Sequence, residues 1–219
     1  YFTPQNINTV AQNILKQIKK ISSSSRSFEY VPSHSALIIL DMQQYFLEPT
    51  AHAFVPSSKA IIANINQLIS TYQKLTLPII FTYHTNNKNN CGLMGQWWHE
   101  MITSDHQLSK LTTELNMQGA IIIEKHQYDA FYQTPLEEKL KKNKINQLII
   151  TGVMTHLCVE TTIRSAFVRG FLPFCPVDAT ATYNLSYHLA TFQNIAHGFG
   201  IPLLTKDLLE LLARSDGKN

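Results

Sequence analysis

Apolar residues fall into two patterns along this chain. Runs of strand length with little polar interruption recur at 36–40, 79–83, 120–123, 148–151, 171–177 and 202–204. Continuous rather than alternating apolarity predicts strands covered on both faces. Between these runs the spacing becomes helical, as in Ile61, Ile62, Ile65, Leu68, Ile69 and Tyr72. A second helix is predicted to open at Thr134, Pro135 and Glu137, which read as a capping box. Further helices are expected at 107–116, 157–169, 186–197 and 206–214. Strand and helix in strict alternation predict an α/β protein, a three-layer α-β-α arrangement around an open parallel sheet of about six strands. Sheets of that kind place their sites at the carboxyl ends of the strands.

Ahead of the first strand, Val10, Ile14, Leu15, Ile18 and Ile21 mark a helix over 4–21, and Ser22 to Ser25 follow. The chain therefore divides into a helical arm with a Ser-rich linker over 1–33 and a domain over 34–219. The arm is expected to pack on the core or on another subunit.

Composition narrows the classes of partner. The 219 residues suffice for one large core, and 18 Lys and Arg stand against 15 Asp and Glu, a net charge of +3. The basic residues are scattered except for Lys139, Lys141, Lys142 and Lys144 at a helix end, a solvated terminus rather than a nucleic-acid surface. No apolar stretch of about 18 residues is present, so no membrane partner is expected. Cys91, Cys158 and Cys175 are too few for a disulfide framework and lack zinc-ligand spacing. A reducing, cytoplasmic setting is the expectation.

Three residues with reactive chemistry stand at three strand ends. Asp41 closes the first run, where a carboxylate also serves as a helix cap or loop anchor. Lys125 closes the third; it reads as a surface lysine, or as a cation that lowers a thiol pKa or pairs with Asp41. Cys158 follows a Gly-containing turn at the opening of a helix, whose N–H groups favour a thiolate, although free cysteine is commonly core. Their convergence in one cleft is expected.

The D-M-Q at Asp41, Met42 and Gln43, the strand-end Lys125, and G-V-x-x-x-x-C-V-E-x-T from Gly152 to Thr162 resemble the isochorismatase-like cysteine hydrolases. That family includes nicotinamidases, carbamoyl-amide hydrolases and isochorismatases, and the resemblance spans about residues 35–205. It implies a triad of Asp41, Lys125 and Cys158, a cis peptide between Val153 and Met154, an oxyanion site at the Met154 and Cys158 N–H groups, no cofactor, and a homo-oligomer, dimer or tetramer. Isochorismatases resemble the chain in DMQQYFL but typically carry glycine where Cys158 stands. Cys158 therefore points to hydrolysis of a small amide, ureido or carbamoyl C–N bond through a thioester. The alternatives are vinyl-ether hydrolysis by Asp41 without a covalent intermediate, and a non-catalytic binding relative. Nicotinamidases carry a metal-binding D-x-H after the second strand; this chain reads F-T-Y-H-T-N-N there, so His84 stands alone, no metal is expected and nicotinamide is disfavoured.

Around the small-molecule substrate, Phe46, Trp97, Tyr128, Phe131, His156 and Tyr183 are the candidate contacts. Trp97 and Trp98 read equally as a subunit interface, and His156 equally as a structural histidine. Cys175 is expected to be inert core, and His188 and His197 structural.

Overall fold

The continuous apolar runs become the strands of one parallel sheet in the computed structural model, which describes residues 1–20 and 28–216. The strands are β1 (Ser35–Leu40), β2 (Ile79–His84), β3 (Ile121–Lys125), β4 (Gln147–Val153), β5 (Leu172–Pro176), β6 (Thr180–Ala181) and β7 (Ile201–Leu203). The sheet is seven-stranded, in the order β3-β2-β1-β4-β5-β7, with β6 paired to β4. Six of these match the apolar runs; β6 spans two residues and has no run of its own. Position in the sheet explains the patterning. Every residue of the central strands β1 and β4 is buried, whereas Ile122 and Glu124 of the edge strand β3 are exposed.

Helices flank the sheet in a three-layer arrangement: α1 (Ile7–Lys19), the short α2 (Gln44–Leu47), α3 (Ile62–Lys74), the short α4 (Met94–Trp98), α5 (Leu136–Lys142), α6 (Glu160–Val168), α7 (Leu185–Gly198) and α8 (Thr205–Asp216). Helix α1 turns Ile7, Ala11, Ile14, Leu15 and Ile18 inward, a stripe at three- and four-residue spacing. It lies on the domain's own core, and Phe2 stands edge-on to His188 of α7 at 5.2 Å. The Ser-rich linker falls outside the described residues. Helix α3 buries Ile62, Ile65, Leu68, Ile69 and Tyr72. The Tyr72 hydroxyl meets those of Ser35 and Tyr30 at 2.8 Å each, so a deeply buried polar tip is satisfied.

Two expectations fail for identifiable reasons. Residues 107–116 form no helix. Their backbone instead bonds along the β1–α2 connection, with Gln44 N–H donating to Lys110 O at 3.0 Å, Tyr45 N–H to Leu108 O at 2.9 Å and Thr112 N–H to Met42 O at 2.8 Å. Tertiary pairing has claimed backbone groups that a helix would use internally. The capping box at α5 does not close either. Thr134 Oγ1 donates to Ala130 O at 2.5 Å and accepts from Leu136 N–H at 3.3 Å, whereas Glu137 pairs with Lys141 at 2.6 Å and Arg169 at 3.0 Å, so the return bond of the box is not made.

Candidate active site

Asp41 begins where β1 stops. Leu40 stands opposite Gly152 of β4, and a Cβ on Gly152 would lie 2.1 Å from the Leu40 carbonyl oxygen, at a φ of +100°. Only glycine permits both the approach and the conformation, so the end of β1 is brought against the turn that follows β4. Asp41 takes a left-handed φ of 52°. Its N–H donates to Thr82 O at 3.1 Å, and Thr82 Oγ1 donates to its Oδ1 at 2.7 Å. Gln43, two residues on, is a clamp. Its side chain donates to His84 O at 2.9 Å and Ser109 O at 2.6 Å and accepts from His84 N–H at 2.7 Å. The D-M-Q segment thus supplies an acid, a buried Met42 and a brace between two loops.

Lys125 ends β3 in register with His84 of β2. Its side chain is fully buried, which a cation tolerates only with partners. Nζ lies 2.8 Å from Asp41 Oδ2, 2.9 Å from Gln127 O and 3.4 Å from Cys158 Sγ. The 2.8 Å contact with Lys125 is the ion pair that Asp41 Oδ2 makes among the described residues. Burial alone would lower the Lys125 pKa, but Asp41 and Cys158 carry it above the ordinary ammonium value. The side chain stays charged.

Cys158 lies in a π-helical turn, Thr155–Val159, that opens α6 just after a cis Val153–Met154 peptide bond. Burial pushes the thiol up to about 12, with Asp41 acting in the same direction and Lys125 opposing. The direction is opposite to the one that Lys125 alone would give, because burial acts against the charged form. Attack by such a thiol calls for a base, and Asp41 is the carboxylate that acts on it together with Lys125.

Above the sulfur is a cavity of about 60 Å³, lined with Cys158 by Tyr45, Phe46, Ala53, Met94, Trp98, Ile102, Tyr128, Met154, Leu157 and Tyr183 and by the polar His52, His84, Asn86 and Glu100. On that scale one water needs roughly 10–15 Å³, so the space suits a small molecule. No lysine or arginine is among the lining residues. Trp98 Nε1 donates to the Tyr128 hydroxyl at 2.7 Å, locking two aromatic walls together. Glu100 Oε2 lies 3.3 Å from His52 Nδ1, and burial and Glu100 both raise the Tyr45 phenol pKa.

A family model described as "Isochorismatase domain" matches residues 35–207. The chain belongs to the isochorismatase family. Nicotinamidase 3 of Arabidopsis thaliana is 35% identical over 190 residues, covering 81% of this chain and 91% of that protein. Enterobactin synthase component B of Escherichia coli is 30% identical over 198 residues, covering 89% of this chain and 69% of the relative. A solved structure titled a cysteine hydrolase, from Pseudomonas syringae pv. phaseolicola, superposes with a TM-score of 0.83 at 22% identity, covering 88% of this chain and all of that one (100%). N-carbamoylsarcosine amidase from Thermoplasma acidophilum superposes with a TM-score of 0.68 at 21% identity, covering 78% and 96%. At such identities the two structures speak for the fold. Together with the family match, the named relatives make this chain an isochorismatase-family hydrolase.

In this hydrolase Asp41, Lys125 and Cys158 come together at one point, and Met154 and Cys158 border the cavity that Phe46, Tyr128 and Tyr183 help to wall. Three candidate contacts lie elsewhere. Trp97 is 74% exposed and its neighbour Trp98 lines the cavity instead, because adjacent residues of a helix point in different directions. Phe131 is core, stacked on Phe171 at 5.7 Å with Arg169 over its ring. His156 turns away from the cavity, its Nδ1 2.6 Å from Thr182 Oγ1 and its ring stacked on Tyr187 at 4.5 Å. Sequence reasoning missed Tyr45, His52, Asn86, Met94 and Glu100. Tyr45 adjoins Phe46, and Asn86 follows His84 by two residues in a strand-end loop, a signal that would have found these two but not His52, Met94 or Glu100.

Proposed function

We propose that this hydrolase cleaves a small amide, ureido or carbamoyl C–N bond through a thioester on Cys158. The observation that carries the reading is the placement of Cys158 Sγ, open to the cavity and 3.4 Å from a Lys125 ammonium that is itself 2.8 Å from Asp41. Asp41 takes the thiol proton as sulfur attacks the carbonyl carbon, and Lys125 balances the charge that moves between them. The N–H groups of Met154 and Cys158 receive the oxyanion. Collapse breaks the C–N bond, and Asp41 returns the proton to the leaving nitrogen. Water deprotonated by Asp41 then cleaves the thioester, regenerating the thiol and releasing the acid. The sum is amide plus water giving acid plus amine or ammonia.

A second reading is vinyl-ether hydrolysis by Asp41 alone, suggested by relatives named for isochorismate chemistry. Isochorismate carries two carboxylates, and the absence of lysine and arginine from the cavity lining disfavours it. The relative named Nicotinamidase 3 returns nicotinamide to the amides worth testing, despite the missing D-x-H. A panel of nicotinamide, carbamoyl amino compounds, simple amides and isochorismate, followed by ammonia or product release, finds the substrate. On that substrate Cys158→Ser should lower turnover by roughly a thousandfold or more while binding persists, with Asp41→Asn equally inactive. Near-normal turnover in Cys158→Ser with loss in Asp41→Asn would replace the thioester mechanism by the aspartate-only one.

A further inference from the structure

The chemistry at the floor of the cavity leaves two features of its wall unused. The first is aromatic: Tyr45, Phe46, Trp98, Tyr128 and Tyr183 all line the space. Several of their polar tips are already engaged. Trp98 Nε1 donates to the Tyr128 hydroxyl at 2.7 Å, and burial, then Glu100 by hydrogen bond and by charge, raise the Tyr45 phenol. What these side chains offer a guest is chiefly ring. Tyr45 and Phe46 stand at 87° to each other with centroids 5.5 Å apart, so the two rings meet at a corner. The second feature is charge. With histidine counted as neutral, Glu100 is the one formally charged residue that lines the cavity. Its side chain is 36% exposed, and its ion-pair partners among the described residues are imidazoles, His52 at 3.3 Å and His106 at 4.0 Å, rather than lysine or arginine. Beneath it, Lys125 and Asp41 offset each other at 2.8 Å. Burial, with Lys125 adding to it, holds the His84 imidazole down to about 3, so His84 adds no cation.

We propose that this wall is a cation subsite, in which the aromatic rings and Glu100 together select a small amide carrying an ammonium group outside the scissile bond. The proposal rests on the amide-hydrolase reading and specifies its substrate class. The electron-rich faces of aromatic rings attract cations, and more strongly where water is excluded. Glu100 acts in the same direction, because a cleft walled by one sign of charge concentrates the opposite sign within it. An ammonium group therefore gains from both features. An uncharged apolar group gains the rings but nothing from Glu100. A carboxylate or sulfonate is opposed by both. The expected order of preference is cation, then neutral group, then anion, and Glu100 is the residue that sets it.

Alkyl methanethiosulfonates test this without a known substrate. Cys158 sulfur bonds to the alkyl-bearing sulfur of the reagent, the bond from that sulfur to the sulfonyl group breaks, methanesulfinate leaves, and the thiol proton passes to Asp41 and on to the buffer. The 2-aminoethyl and propyl reagents differ in carrying ammonium or methyl at one position, and the 2-sulfonatoethyl reagent reverses the charge. Rates at Cys158 at pH 7, followed by peptide mass spectrometry, are to be divided by the rates for 2-mercaptoethanol in the same buffer. The preference for 2-aminoethyl over propyl should exceed that of 2-mercaptoethanol by ~10-fold or more, and the 2-sulfonatoethyl reagent should fall below propyl by a similar factor. In Glu100→Gln the excess for the cation should drop by about threefold or more while the propyl rate holds. Glu100→Lys should go further and favour the sulfonate over the ammonium. A wild-type preference equal to that of 2-mercaptoethanol, or an excess unchanged in Glu100→Gln and Glu100→Lys, overturns the cation subsite and leaves the nucleophile assignment standing. A Cys158 inert to all three reagents overturns both.

Discussion

The floor of the cavity comes from strand ends. Asp41 leaves β1, Lys125 closes β3, and Cys158 follows the turn after β4, each fixed by the parallel register of the sheet. The walls have a different origin. Tyr45, Phe46 and His52 come from the connection after β1, Asn86 to Ile102 from the long connection between β2 and β3, and Tyr183 from the one after β6. Loop contacts hold that wall, such as Asn87 N–H donating to Asn90 Oδ1 at 2.7 Å. A floor set by sheet register must remain as it is for the fold to form, while a wall set by loops can change residue by residue. One family can therefore keep its chemistry in place and alter what it admits.

The largest expected effect breaks the floor. Lys125→Met leaves Asp41 buried without its cation, which should lower stability by ~3–5 kcal/mol and the thermal midpoint by about 6–20 °C. Activity should fall by orders of magnitude. The double variant Asp41→Asn with Lys125→Met removes both charges, so calorimetry should show much of the stability recovered with activity still absent. A double variant as unstable as Lys125→Met would mean that the pair is not the source of the loss.

The same division explains what the sequence makes legible. Strands buried on both faces leave continuous apolar runs, and a polar residue where such a run ends marks the binding edge, so Asp41 stands out; β3 is an edge strand with Ile122 and Glu124 exposed, and Lys125 is its buried last residue. Cys158 follows from the motif after β4. The walls leave no such trace, because side-chain direction in an irregular segment depends on tertiary bonds. Leu108 and Leu111 look helical in spacing, yet their segment is laid out by bonds to residues 42–45. The pair Trp97, Trp98 offers two equivalent rings, and only the path of α4 selects one of them. The thiol's direction of shift was equally hidden, since burial depth is not written in a motif.

A smaller effect probes where the floor is supported from below. His188 is fully buried, its Nδ1 2.7 Å from the Tyr1 hydroxyl and 3.1 Å from Thr155 Oγ1, and its Nε2 3.2 Å from Val177 O. Burial holds His188 and His84 each down to about 3. Both are thus depressed below the ~6.5 of an unfolded histidine, so the unfolded state binds protons first as the pH falls. Their stabilisation is complete above about pH 6.5 and is lost toward pH 3, at up to ~1.4 kcal/mol per pH unit for each ring. Urea unfolding between pH 7 and 4 should show this slope, and His188→Gln should reduce it by about half of the histidine part. An unchanged slope would place the acid sensitivity in other groups.

The smallest predicted change sharpens the wall against its own surroundings. Trp98 lines the cavity and donates to Tyr128 at 2.7 Å, so Trp98→Ala removes one wall and frees a second. The floor is untouched, so kcat should stay within about threefold while KM rises ~10-fold, equivalent to about 1.4 kcal/mol of binding. Trp97, one residue earlier on α4 and 74% exposed, is not among the residues that line the cavity. Trp97→Ala should change stability by no more than ~0.5 kcal/mol, as exposed positions generally do, and leave both kinetic constants alone. Steady-state kinetics of the two alanine variants, read side by side, separates the adjacent rings. Equal effects on KM would mean that α4 contributes to the wall as a unit and that ring direction does not decide what the cavity holds.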